Sequence, residues 1–136
     1  METKPVKIIG TFATLDHDGN IKDLYAGKDM KGLDMFCENI SGTEIDGVRF
    51  DVSLDDSDAL ITMTGEDLSD QIYPNFPKKS GGPLMQIKPK DPDGKRTALV
   101  LNKFIMRITK MLEKEPFNKK RRFKASTILL REVLEE

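Results

Sequence analysis

The sequence predicts an α+β fold: an antiparallel β-sheet of about six strands built from hairpins, followed by two C-terminal α-helices packed on one face. Three observations predict it. Apolar and polar residues alternate strictly from Val48 to Asp55, turn-forming clusters separate β-rich runs in the first half, and the apolar spacing changes to a helical one after Leu101. At 136 residues the chain is expected to form one domain over residues 1–136, long enough to bury a core without disulfides or metals.

Val6–Leu15 (VKIIGTFATL) is apolar on both alternating faces, so it predicts a central strand covered on each side, with Gly10 marking a bulge or a close backbone approach. Asp16-His17-Asp18-Gly19-Asn20 collects residues that tolerate turn conformations, and Ile21–Tyr25 returns as the partner strand of a first hairpin. Gly27, Gly32 and Gly42 punctuate the next segment, where Leu33, Met35 and Phe36 fit either a short strand or a helical turn. Val48, Phe50, Val52 and Leu54 alternate with Arg49, Asp51, Ser53 and Asp55, the pattern of a strand with one buried and one wet face. The turn Asp55-Asp56-Ser57-Asp58 leads to a partner strand over Ala59–Thr64.

Residues 65–83 hold Pro74, Pro77, Gly81, Gly82 and Pro83 and no periodicity, which predicts a long connector of the kind that carries function. Leu84–Lys88 and Thr97–Leu101 flank Asp91-Pro92-Asp93-Gly94, suggesting a third hairpin. Asn102 is a preferred N-cap, so a helix is expected from there to Lys114, with Phe104, Ile105, Ile108, Met111 and Leu112 inward and Glu115-Pro116 as its stop. Ala125, Ile128, Leu129, Leu130, Val133 and Leu134 predict a second helix over Phe123–Glu136, frayed where Glu135 and Glu136 oppose the helix dipole.

No apolar run approaches the roughly 18–20 residues that span a bilayer, and Met1–Pro5 does not lead into a signal peptide, so no membrane partner is expected. The lone Cys37, in the apolar stretch Met35-Phe36-Cys37, reads as a packed small hydrophobe and points to a reducing, cytoplasmic location. The net charge of −1 conceals an asymmetry: residues 1–76 hold 6 Lys+Arg against 16 Asp+Glu, and residues 77–136 hold 16 against 7. An acidic first part and a basic second part point to a polyanionic partner for the latter, or to a docking role for the former.

Catalytic constellations are sparse. His17 is the only histidine and lies in a turn, which removes His-based acid–base chemistry and multi-His metal sites. Asp16-x-Asp18-x-Asn20 opens like a calcium loop, but Gly19 stands fourth rather than sixth and Gly27 occupies the twelfth place, so an ordinary turn is preferred even when Asp23 is added. Asp51, Asp55, Asp56 and Asp58 read as a solvated edge rather than a magnesium site, and Lys78-Lys79-Ser80-Gly81-Gly82 lacks the ending of a phosphate loop. Neither a cofactor nor a metal is expected.

The basic features are denser. Lys119, Lys120, Arg121, Arg122 and Lys124 crowd into six positions, while Lys103, Arg107, Lys110 and Lys114 form one stripe along the first C-terminal helix. Tyr73 and Phe76 precede Lys78 and Lys79, and Phe117 and Phe123 bracket the basic turn. Aromatic rings beside cations suit unpaired bases. The expectation is a non-enzymatic nucleic-acid-binding accessory protein, single-stranded or sequence-tolerant, acting through Lys119, Lys120, Arg121, Arg122, Lys124, the helix stripe, Lys78, Lys79, Tyr73 and Phe76. The alternatives are an interaction or inhibitor module docking its acidic sheet on a basic protein partner, and a self-associating homo-oligomeric subunit.

Overall fold

The computed structural model describes residues 5–134. In chain order the elements are β1 (Val6–Leu15), β2 (Ile21–Asp23), α1 (Leu33–Ile40), β3 (Thr43–Ile45), β4 (Val48–Asp55), β5 (Asp58–Thr64), β6 (Ile72–Tyr73), β7 (Lys88–Pro89), α2 (Lys95–Lys114) and β8 (Thr127–Leu134). The main sheet has six strands in the order β2-β1-β5-β4-β3, with β8 also paired to β1, and every pairing is antiparallel. β6 and β7 form a separate two-stranded ribbon.

β1 is the central strand that its two-sided apolar pattern predicts, flanked by β5 and β8. Its pairing with β8 shifts register between Ile9 and Gly10, and a Cβ on Gly10 would collide with the Ile128 side chain, so a close approach accounts for that glycine. The hairpins β1–β2 and β4–β5 form where the turn clusters place them. β3–β4 is a further hairpin, closed by Asp46 (φ 53°) and Gly47 (φ 81°), the two consecutive left-handed residues that a tight hairpin turn requires. The ambiguous segment resolves into α1, whose Leu33, Phe36, Cys37 and Ile40 are buried at helical spacing.

The C-terminal part differs from expectation in two places. No hairpin joins Leu84–Lys88 to Thr97–Leu101. Asp91 instead accepts a hydrogen bond from the Asp93 N–H and caps a helical turn that runs directly into α2. Thr97, Leu101, Phe104, Ile105, Ile108 and Leu112 are all buried, so the helical stripe begins two turns before Asn102. Asn102 is no N-cap: its amide bonds both the N–H and the C=O of Ile87, fastening the preceding strap to the helix.

The second expected C-terminal helix is strand β8. Thr127, Ile128, Leu129 and Leu130 are buried consecutively, which suits a strand covered on both faces, whereas a helix would turn one side of that run to water. The fraying expected at Glu135 and Glu136 lies outside the described residues. The two α-helices among the described residues are thus α1 and α2, which pack against the same core as the sheet. Phe50 of β4 stacks flat on Phe104 of α2, with centroids 4.0 Å apart and planes 1° from parallel. A smaller cluster of Ala13, Ile21 and Leu129 takes in Phe76. Among the described residues no helix is long and apolar enough to cross a membrane.

Candidate functional site

The basic turn between α2 and β8 is a rigid structure with an inside and an outside. Glu115 accepts a hydrogen bond from the Phe117 N–H at the start of a 3-10 turn over Pro116–Lys120. Asn118 is buried and closes the loop on itself, donating to the carbonyls of Leu112 and Ala125 and accepting from the Ala125 N–H. Arg121 is buried as well, at 6% exposure, and its guanidinium donates to the carbonyls of Phe123, Lys31, Ala26 and Asp29 while lying 5.6 Å from the Phe36 ring centroid. Burial lowers its pKa, and the Asp29 charge opposes that shift. Arg121 is therefore a staple between the turn and the segment leading into α1, and has no face left for an external anion.

The outward cations converge at the end of β1. Lys22, Arg122 and Lys124 line a pocket of ≈ 310 Å³ together with Thr14, Asp16 and His17. Asp16 is its one carboxylate, and one oxygen of that group already accepts the N–H groups of Asp18 and Asn20. Lys124 is held through its backbone, where its carbonyl takes a 2.6 Å bond from Thr14 Oγ1. A second pocket of ≈ 510 Å³ shares Asp16, His17 and Lys124 and adds Lys119, Asn118 and Glu113. Lys120 is exposed and lines neither. The result is a preformed cationic end of the central strand, suited to a small anion.

Beside it, Phe123 lies between two cations, with Lys28 Nζ 4.0 Å and the Arg122 guanidinium 5.4 Å from its centroid. Lys28 also pairs with Asp23 at 2.8 Å. Burial alone would raise the Asp23 pKa, but bonds from Lys28 and the Tyr25 N–H outweigh it and the net shift is downward. Phe117 packs edge-on against Phe36 and over Gly32, leaving neither bracketing aromatic as a stacking platform.

The α2 stripe is brought together around a groove of ≈ 500 Å³ that Lys103, Arg107, Lys110 and Lys114 all line. Two of its members are engaged with the β3–β4 hairpin. Lys103 pairs with Asp46 at 2.6 Å, holding that carboxylate below its usual range, and Arg107 donates to the Glu44 carbonyl. Arg96, two turns earlier, donates to the carbonyls of Glu66 and Asp46, so these cations clamp the β3–β4 hairpin onto the helix.

The remaining expected contacts are dispersed. Tyr73 is 54% exposed on β6 beneath Lys90, whereas Phe76 turns into the smaller cluster against Tyr25. Lys78 and Lys79 project from a loop whose end is pinned to β2 through Gly81 and Gly82. Sequence reasoning missed Lys22 and Lys28, isolated lysines that only the fold carries to the basic turn. It also assigned Arg121 outward, because nothing in a run of five cations marks the one that is buried.

The acids do not gather. Asp51 pairs with Arg49 and Asp58 with Arg131, and among the described residues no group of three or more His, Cys, Asp or Glu could hold a metal ion. The His17 ring is on the surface, and burial pushes the Cys37 thiol up to about 11.

Comparison with known proteins gives a consistent picture. The family model of 2,3-bisphosphoglycerate-independent phosphoglycerate mutase matches residues 1–118. A mutase of that description from Methanococcus aeolicus is 37% identical over 116 residues, 82% of this chain and 28% of the relative. One from Thermoplasma volcanium is 33% identical over 124 residues, 89% of this chain and 30% of the relative. The solved cofactor-independent phosphoglycerate mutase of Thermoplasma acidophilum superposes with a TM-score of 0.87 at 31% identity, over 95% of this chain and 36% of that one. The chain thus spans less than a third of the length of these two sequence relatives.

These likenesses overturn the expectation of a non-enzymatic nucleic-acid-binding protein, and with it the nucleic-acid partner and the docking-module and self-association alternatives: the family is one of glycolytic enzymes. The charge asymmetry behind that expectation is genuine, but part of it is spent on contacts within the chain, by Arg121 in the interior and by Arg96, Lys103 and Arg107 at the surface.

Proposed function

The chain belongs to the 2,3-bisphosphoglycerate-independent phosphoglycerate mutase family, and from that premise we propose that residues 1–136 act as one domain of such an enzyme, holding phosphoglycerate by its anionic groups. Phosphoglycerate carries a phosphate ester and a carboxylate on a three-carbon frame. A surface that binds it needs cations grouped at that scale and in excess of the carboxylates beside them.

The observation that carries the reading is the convergence of Lys22, Arg122 and Lys124 on one pocket whose single acid, Asp16, is engaged with its own turn. Lys124 and His17 are shared with the neighbouring pocket, which Lys119 and Glu113 line, so the adjoining spaces together present four cations against the carboxylates of Asp16 and Glu113 to the two anionic ends of one ligand. An exposed cation at about 4 Å from a unit negative charge contributes about 1 kcal/mol in bulk water, so three give a Kd on the order of 10 mM from this surface alone. Cys37, buried as a neutral thiol, does not serve as a phosphoryl-transfer nucleophile. A cytoplasmic location belongs to the same proposal.

Calorimetric titration of the chain with 3-phosphoglycerate, glycerate and inorganic phosphate tests it. Phosphoglycerate should bind more tightly than either comparator, and the advantage should vanish when Lys22, Arg122 and Lys124 are changed to Ser. Equal binding of all three compounds, or phosphoglycerate binding that survives the triple change, removes the site.

A further inference from the structure

We propose that the groove between α2 and the strap of residues 84–87 is a docking surface for an apolar, acid-flanked segment of the rest of a phosphoglycerate mutase. The groove holds ≈ 490 Å³ and is lined by Met85, Leu99, Ile105 and Met106, with Lys103 and Lys110 as its charged members and no carboxylate. Met85, Leu99 and Met106 are 50%, 57% and 61% exposed, so three of the seven exposed large apolar side chains among the described residues stand together here. Such a concentration marks an interaction surface more often than an isolated exposed leucine does.

The groove is preformed. Asn102 bonds the Ile87 N–H at 2.8 Å and its carbonyl at 3.0 Å, and Asn75 donates to the Met85 carbonyl at 2.8 Å, so the strap stands at a fixed distance from the helix. Its methionines are unbranched and adapt to the shape of an incoming side chain. None of Met85, Leu99 or Met106 lines the cationic pockets at the end of β1, and the groove adjoins them only at Thr109.

Two features identify the occupant. Most of the Thermoplasma acidophilum mutase lies outside the stretch that shares this fold, so in that protein the same domain is joined to a large body of further polypeptide. Lys103 is already held by Asp46, so Lys110 is the groove's charge without an ion pair among the described residues, and a partner that covers the apolar floor must set an acidic group against it. A second copy of the chain meets the opposite requirement, because a two-fold contact through this face would set Lys110 of each copy on the same surface with no carboxylate of the groove to answer it.

The proposal rests on the family membership and not on the phosphoglycerate pocket. Short overlapping peptides tiling the part of the Thermoplasma acidophilum mutase outside the shared fold are titrated into the labelled chain, with binding read by fluorescence anisotropy. Binding should concentrate on peptides in which Asp or Glu flanks apolar residues and should weaken about tenfold or more in Leu99→Asp, which removes apolar contact and adds a like charge. The Lys124→Ser variant should bind those peptides unchanged, so the phosphoglycerate reading and this one fail separately. Circular dichroism verifies that Leu99→Asp, a change at a surface position, retains the fold. Absence of binding by every tiled peptide, a preference for basic peptides, or indifference to Leu99→Asp overturns the inference.

Discussion

The guanidinium of Arg121 lies 5.6 Å from the centroid of the Phe36 ring, and the same group donates hydrogen bonds to four backbone carbonyls, three of them in the segment Ala26–Lys31. One side chain in the basic turn therefore anchors the entry to α1, some ninety positions earlier in the chain, and keeps the turn in the shape that sets Arg122 and Lys124 beside Lys22.

Replacing Arg121 by Ala is expected to cost about 3–5 kcal/mol, because buried carbonyls lose charged donors and a cavity opens beside Phe36. Arg121→Lys should recover little of it, since an ammonium cannot reproduce the planar fork. Lys120→Ser, at an exposed position in the same run, should change stability by no more than about 0.5 kcal/mol. Urea denaturation of the three variants checks this, and equal effects would contradict the staple.

Phe104→Ala is expected to destabilise by about 3–5 kcal/mol, through lost burial and lost stacking on Phe50. Phe104→Leu should cost less, as it retains most of the apolar volume. Thermal unfolding followed by circular dichroism measures both, and a near-neutral Phe104→Ala would mean that the sheet and α2 do not depend on that stack.

The Cys37 thiol sets a pH dependence. Burial is the main cause of its rise from 9.0 to about 11, with Asp34 and Glu38 adding to it. Its folded value lies above its unfolded one, so the neutral thiol stabilises the fold fully below pH 9, and that contribution is lost as pH rises towards 11. Denaturation midpoints should fall over this window by more in the wild type than in Cys37→Ala. Parallel pH profiles for the two proteins would refute the assignment.

Lys103→Met should loosen the β3–β4 hairpin more than Lys114→Met does, because Lys103 is paired with Asp46 in the tight turn while Lys114 has no ion-pair partner among the described residues. Amide hydrogen exchange of Val48 and Arg49 reads the difference, and identical exchange in the two variants would mean that α2 does not hold the hairpin.

Much of the sheet was legible because β4 and β5 have one wet face and one dry one, which writes a period of two into the residues. Asp46-Gly47 also carried a strong hairpin signal, and with it β3 could have been found. β8 could not be separated from a helix on periodicity alone: its neighbours cover both faces, so Ile128, Leu129 and Leu130 are apolar in succession and nothing alternates. The start of α2 was hidden by Asp91-Pro92-Asp93-Gly94, whose residues suit a hairpin turn and a helix entry equally well. At the candidate site the cationic character was legible but its grouping was not. Lys22 sits a hundred positions from Arg122, and only the pairing of β1 with both β2 and β8 brings them to one pocket.

The most direct test of the central claim is a two-dimensional ¹H–¹⁵N titration of the chain with 3-phosphoglycerate at low salt. Binding at the end of β1 predicts saturable shifts at Lys22, Arg122, Lys124 and the turn from Asp16 to Asn20, with the α2 positions Lys110 and Lys114 unmoved. Shifts confined to α2, or a response reproduced in full by inorganic phosphate, would contradict the phosphoglycerate site proposed for this domain.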